Sequence, residues 1–152
     1  MDLMADIEDF GRLVAGDHGL VTVSALRDDG SISATVVNAG VLPHPVTGDA
    51  VVAMVVRGGT KKLAYWRERP YANVVIRAGW VWAAVEGPVS LIGPDDPRDG
   101  FGAERLRLLL REIFTAAGGT HDDFATYDRV MREERRTAVF VQPDRIYGNP
   151  AR

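Results

Sequence analysis

Cysteine is missing from all 152 residues of the chain. A disulfide framework, a thiolate zinc site and a cysteine nucleophile are thereby excluded, and any redox chemistry has to be borrowed from a cofactor. Lysine is nearly missing too. Of 18 basic residues only Lys61 and Lys62 are lysine, side by side, and the rest are arginine. No apolar run approaches the roughly 20 residues that cross a bilayer, and the acidic opening MDLMADIEDF lacks the basic start of a secretory signal. The expectation is a cytoplasmic protein with no membrane association. A net charge of −3, with no basic helix or tail, supplies no field for nucleic acid.

The remaining composition, 46% hydrophobic and 26% charged, is that of an ordinary globular protein. Its length suits one domain over residues 1–152. Ile7, Phe10, Leu13 and Val14 recur at helical spacing and predict a helix from about Met4 to Val14, ended by Gly16 and Gly19. GLVTVSALR and SISATVVNAGVL, joined through Asp28-Asp29-Gly30, read as a β-hairpin. AVVAMVVR is apolar on both faces and so reads as a buried strand, and Gly58-Gly59 ends it. A helix is expected from Thr60 to about Glu68, stopping before Pro70. Tyr71 to Arg77 reads as a fourth strand, WVWAAVEGPVSLI as a fifth with a bend at Gly87-Pro88, and TAVFVQPDRIYG as the last. Two amphipathic helices precede that last strand, with Thr120 to Asp123 resembling a capping box between them. Short turns between most strands predict antiparallel pairing: a mainly β fold, a six-stranded barrel with flanking helices, in place of a parallel doubly wound sheet.

The strongest chemical signal is Arg57-Gly58-Gly59-Thr60-Lys61-Lys62. Free backbone N–H groups and the positive end of a helix dipole converge where two ammonium groups also stand. Cations there cost a few tenths to about 1 kcal/mol, and a bound phosphate or carboxylate reverses the sign. Two lysines hydrated on a surface turn are the competing explanation. Trp80 and Trp82, one residue apart, fall on one face of the fifth strand; they could cover a planar ring, although strand aromatics are more often core. Ser33, Thr35 and Asn38 could meet the polar edge of a heterocycle. His18, His44 and His121 share no metal-ligand spacing, so no metal site is expected; His44, between two prolines, reads as a turn residue and His121 as a cap. Asp95-Asp96 and Asp122-Asp123 read as loop and helix-start residues. Whether an arginine of Glu133-Glu134-Arg135-Arg136 reaches an anion stays open.

The order of these motifs, with LAYWRERP after the basic segment, WVWAAVEG, HDDFATYDRVMREERR and a closing PDRIYG, resembles the flavin and deazaflavin oxidoreductases of the pyridoxamine-phosphate-oxidase-like split β-barrel superfamily. The similarity runs from Gly19 to Gly148 and is greatest to the actinobacterial branch that uses the 5-deazaflavin F420. It implies a homodimer with two cofactor sites at the subunit interface. Arg57, Gly59, Thr60, Lys61 and Lys62 would hold the phosphate and acidic tail of F420, and Thr35, Val36, Val37 and Asn38 would line the ring. Trp80 and Trp82 would approach from the other protomer. Tyr65-Trp66 stands where many relatives have Asn-Leu. The implied activity is hydride transfer from reduced F420 to a small conjugated acceptor such as a tetrapyrrole, quinone or unsaturated lactone. FMN in place of F420, or a non-catalytic carrier of such heterocycles, are the alternatives. No side chain presents itself as catalytic acid, which leaves protonation of the product to solvent.

Overall fold

The structure, a computed structural model, describes residues 6–149; the helix start expected at Met4 lies outside them. The elements are α1 (Ile7–Gly16), β1 (Leu20–Leu26), β2 (Ile32–Pro43), β3 (Ala50–Val56), α2 (Lys61–Glu68), β4 (Tyr71–Ala78), β5 (Val81–Ile92), α3 (Ala103–Ala116), α4 (Phe124–Glu133), β6 (Thr137–Val141) and β7 (Arg145–Gly148). Every strand pairing is antiparallel. β4, β1, β2, β3, β6 and β5 follow in that order and β5 returns to β4, which closes a six-stranded barrel; β7 adds a seventh strand along β5.

Two apolar clusters hold this together. The larger fills the barrel, where alternate residues Val21, Val23 and Ala25 of β1 meet Val74 and Ile76 of β4 and Val85 of β5. Helix α1 presses Phe10 and Val14 into it, started by a reciprocal cap in which Asp6 accepts from the Asp9 N–H at 2.8 Å and Asp9 from the Asp6 N–H at 3.1 Å. The smaller cluster lies outside the barrel wall. There Val51, Ala53, Ala138 and Phe140 of β3 and β6 receive Leu109, Leu110 and Ile113 of α3. β3 is buried on both faces because it separates the two clusters, which is why its sequence does not alternate.

β2 changes partner midway. Residues Ile32 to Asn38 pair with β1, and Ala39 to Pro43 pair with β3. The β3 edge of residues 32–38 is therefore left without a ladder, while β3 runs on beyond Met54 to pair Val55 and Val56 with β6.

The expected last strand is in fact two. β6 and β7 run along β5 one after the other, and their registers differ by one residue across Gln142 to Asp144. That bulge faces Gly87-Pro88, where the Gln142 N–H donates to the Pro88 carbonyl and the Asp144 N–H to the Glu86 carbonyl, each at 2.9 Å. The expected bend at Gly87 has a steric cause: a Cβ there would lie 1.8 Å from the Gln142 carbonyl oxygen. Two other expectations need correction. Trp80 belongs to the turn before β5, not to the strand. The cap of α4 is Asp123 itself, which accepts from the Thr126 N–H, and Thr120 takes no part.

Gly87→Ala is expected to cost at least ~2 kcal/mol by denaturant unfolding, the upper side of overpacking costs. Gly102→Ala, in extended backbone with nothing within 4 Å, meets no clash and is expected to cost no more than about 1 kcal/mol, the difference between Gly and Ala at a helix N-cap. His44 is buried in the β2–β3 turn; its Nδ1 accepts from the Val46 N–H at 3.1 Å, so its proton is on Nε2, 3.4 Å from the Ser90 hydroxyl. Burial, then the Arg98 charge, hold its pKa below the ordinary imidazole value. The folded chain thus binds a proton there less readily than the unfolded one, and stability falls as pH drops through about 6.5. Thermal midpoints from pH 7.5 to 5 should show that slope in the wild type and a flatter one in His44→Gln.

Candidate functional site

Where β2 leaves β1 for β3, a cavity of about 590 Å3 opens, bounded by β2, the end of β3, the start of α2 and the α3–α4 pair. Its size is ordinary for a small-molecule site. Val36, Val37 and Asn38 line it from the unpaired β2 edge, and Val55 and Val56 from β3. The unpaired edge leaves backbone N–H and C=O groups without a strand partner, in reach of whatever enters.

The basic end is built by the turn from β3 into α2. Gly59 has φ +77°, which an L side chain rarely adopts, and Gly58 has no room for one: a Cβ would lie 2.5 Å from the Arg135 carbonyl oxygen. The Gly58 N–H donates to the Glu134 carbonyl at 3.0 Å, so the α2 start is fastened to the α4–β6 turn. Leu63 and Trp66, both buried, hold α2 on the barrel, and the Trp66 indole N–H reaches the Ser24 carbonyl at 3.3 Å. Thr60 occupies the N-cap position without capping; its hydroxyl is buried and has no partner among the described residues. No acidic residue stands in the first turn. The two lysines separate because consecutive helical positions diverge by 100°. Lys62 lines the cavity, its ammonium donating to the Thr35 hydroxyl at 3.3 Å, whereas Lys61 is exposed outside the lining, as is Gly59.

Arg57 and Arg136 complete the basic wall. Arg136 is pinned by Glu134 at 2.9 Å, and Arg57 approaches that same carboxylate at 3.9 Å. The two arginines thus share one carboxylate, and Lys62 has none. Burial, then the Arg136 charge, hold the Lys62 ammonium below its ordinary pKa. A partly buried positive charge without a carboxylate partner, in one cavity with an orphan hydroxyl and an uncapped helix start, is a site in need of an anion.

The fourth wall was outside the reach of sequence reading. Phe114 of α3, Ala117 at its C-cap, Gly118 and Gly119 after it, and Tyr127 and Met131 of α4 all face the cavity. The end of α3 arrives there because Gly19 and Gly40 let its backbone in: a Cβ would lie 2.2 Å from the Ala117 carbonyl oxygen at the first and 2.4 Å from Ala116 at the second. Tyr127 donates to the Leu110 carbonyl at 3.1 Å, and burial pushes its phenol up to about 12. The tandem acids are structural, as expected. Asp96 takes Arg67 bidentately at 2.8 and 2.6 Å, and Asp95 takes Arg135. His121 supports the α4 start by accepting from the Asp123 N–H at 2.9 Å. Among the described residues no group of His, Asp and Glu is arranged to hold a metal. Among the described residues no helix is long and apolar enough to cross a membrane.

Trp80 and Trp82 lie away from this cavity in their own chain. Trp80 is 93% exposed at the tip of the β4–β5 hairpin, and Trp82 packs edge-on against Tyr147 at 6.0 Å. Asn149 fixes the tip: its side chain accepts from the Trp82 N–H at 2.8 Å and donates to the Trp80 carbonyl at 2.9 Å.

No protein-family model matches the chain, and no curated protein matches it. Solved structures do. A conserved hypothetical protein from Mycobacterium tuberculosis superposes with a TM-score of 0.65 at 15% identity, covering 97% of this chain and 86% of its own. A pyridoxamine 5'-phosphate oxidase-related, FMN binding protein from Nostoc punctiforme gives 0.60 at 9% identity, covering 96% and 84%. An F420 reductase gives 0.55 at 12% identity, covering 84% and 87%. At such identities the likeness is one of fold, and the fold is the pyridoxamine-phosphate-oxidase-like split barrel.

If Lys62 is kept for an anion, Lys62→Met should raise the thermal midpoint of the free protein by removing a poorly paired, partly buried charge, and should abolish the stabilisation that added pyrophosphate gives the wild type. A lysine kept for its bond to Thr35 would show a lowered midpoint. Lys61→Met should leave the midpoint nearly unchanged.

Proposed function

We propose that the cavity binds F420 and that the protein is an F420-dependent reductase. The observation that carries this is the meeting, in one cavity, of an anion cradle with an unpaired strand edge: a ligand with an acidic tail and a hydrogen-bonding heterocycle satisfies both. Lys62, Arg57 and the Thr60 hydroxyl, with Arg136 behind them, would hold the phosphate and acidic tail. Exposed Lys61 would meet the tail where it leaves the cavity. Thr35, Val36, Val37 and Asn38 would hold the ring, with backbone groups of the open edge answering its polar rim. When bound, the deazaflavin supplies a hydride to an electron-poor conjugated acceptor. The chain's part is to bind and orient it.

The site is completed, on this reading, by a second copy of the chain. The outward residues of β1, β2, β4 and β7 expose Leu20, Leu26, Ile32, Val36, Tyr71 and Tyr147 among polar neighbours such as Thr22 and Asn38, with Ile32 64% and Val36 66% exposed. Several large apolar side chains left bare on one side of a sheet suit a partner surface. Val36 belongs both to this face and to the cavity lining, so a partner covering the face would also cover the cavity mouth. The rigid Trp80 tip is the part of that partner suited to reach in.

Purified protein offered F420, FMN and haem in parallel should retain F420. Lys62→Ala should weaken that binding by about 1.5–3 kcal/mol, the range of a charge-assisted hydrogen bond. Retention of FMN instead would move the assignment to a flavin oxidoreductase. Reduced F420 labelled with deuterium at its hydride-donating carbon should pass the label to a quinone, tetrapyrrole or conjugated lactone faster than the protein-free control; tight binding of cofactor and acceptor without transfer would mark a carrier. Sedimentation should give twice the 16.6 kDa chain mass, and Val36→Glu should yield monomers with weakened F420 binding.

A further inference from the structure

A second cavity, of about 370 Å3, lies along the other flank of the α3–α4 pair, under the loop between β5 and α3. It shares only Met131 and Arg136 with the first, the two cavities meeting back to back at those side chains. Its floor is apolar. Phe101, Leu106 and Met131 are half-buried there against the outer cluster, with Leu110 fully buried beneath.

The charges around it are not all paired. Asp128 is nearly enclosed and fully engaged, accepting from Arg107 at 2.9 Å and from Arg111 at 2.9 and 2.5 Å. Glu104 is engaged by Arg107 as well. Glu134 serves Arg136 from outside the lining. Arg132 also lines the cavity, and its guanidinium makes no hydrogen bond or salt bridge among the described residues. Of the guanidinium groups in the lining, Arg107 and Arg136 have carboxylates and Arg132 has none; Arg105, outside the lining, lies over the Phe101 ring at 4.0 Å. The start of α3 adds partial positive charge, since Gly102 at the N-cap has no side chain to offer the first-turn N–H groups, and Gly102 and Ala103 line the cavity.

An apolar floor of this size with one unspent cation at its rim fits a ligand with an apolar body and a single negative charge. We propose that this cavity is a binding site for an amphipathic monocarboxylate, a medium-chain aliphatic or aryl acid, whose carboxylate pairs with Arg132 and whose body lies on Phe101, Leu106 and Met131. A neutral alcohol would leave Arg132 unanswered. A phosphate monoester would bring a second charge that no other guanidinium of the lining is free to meet, because Arg107 is held by Asp128 and Arg136 by Glu134. The inference stands apart from the cofactor reading, which concerns the other cavity.

The test is calorimetric titration of the full chain with octanoate, with octanol and acetate as probes of the tail and the charge alone. Octanoate is expected to bind at least tenfold more tightly than either. Arg132→Ala should weaken octanoate at least fivefold and lessen its salt dependence, and Leu106→Trp, which fills the floor, should weaken it further. Lys62→Ala should leave octanoate affinity unchanged while impairing pyrophosphate binding at the first cavity. Circular dichroism checks each variant's fold; should Leu106→Trp misfold, exposed Arg132→Ala carries the test alone. Octanol binding as tightly as octanoate, no effect of Arg132→Ala, or loss of octanoate binding in Lys62→Ala would each overturn the proposal.

Discussion

The change of partner within β2 is the constraint on which the remaining architecture depends. One strand of twelve residues serves two neighbours, β1 up to Asn38 and β3 from Ala39. A barrel closes when the sheet curls until its edges meet, and a strand that leaves one neighbour for another lets six strands do this without a flat region. The same change leaves part of β2 without a ladder on one side. Val36, Val37 and Asn38 of that open stretch line the cavity, so its backbone groups are available to a ligand there.

The helices are placed by backbone contact as much as by side-chain packing. Gly19 and Gly40 admit the end of α3, Gly58 admits the α4–β6 turn, and Gly87 admits the β6–β7 bulge. Each approach is too close for a Cβ, so each fixes its element with little freedom. Three of these contacts border the basic cavity and set the distance between the α2 start and the α3–α4 pair. A rigid frame of this kind suits a site whose charges are unbalanced, because the cations cannot relax away from one another. Outside this site Arg67, Arg107, Arg111 and Arg135 are each paired with a carboxylate, Arg107 and Arg111 sharing Asp128.

Most of the barrel was legible in the sequence because strand alternation and turn residues are local signals. Val21, Val23 and Ala25 point inward as their spacing requires, and Gly87-Pro88 marks a bend. The splitting of the last strand was not legible, since a one-residue change of register is decided by the opposing strand and leaves no local mark beyond Pro143. Trp80 was read into β5 because the apolar pattern continues through it, whereas the turn needs two residues and takes Gly79 and Trp80. Within the site, the basic segment and the β2 residues were legible from the conflict between lysines and the helix dipole and from the family resemblance. The α3–α4 wall was not. Phe114, Tyr127 and Met131 lie on amphipathic faces that look like any core-facing helix, and only the tertiary fold distinguishes a residue facing a cavity from one facing a core.

The two lysines show how far local reasoning carries and where it stops. Their conflict with the helix dipole is a statement about sequence, and it treats Lys61 and Lys62 alike. The helix separates them: Lys62 is drawn toward Thr35 and the cavity, and Lys61 is left in solvent. For Lys61 the conflict is weak, because water screens the dipole within the first turn. For Lys62 it is stronger, because burial removes that screening and Arg136 adds a like charge. The cost therefore concentrates on one residue that the fold could have left outside and did not. A cation held in so unfavourable a place, beside a hydroxyl with no partner, has a physical rationale once an anion is bound to both.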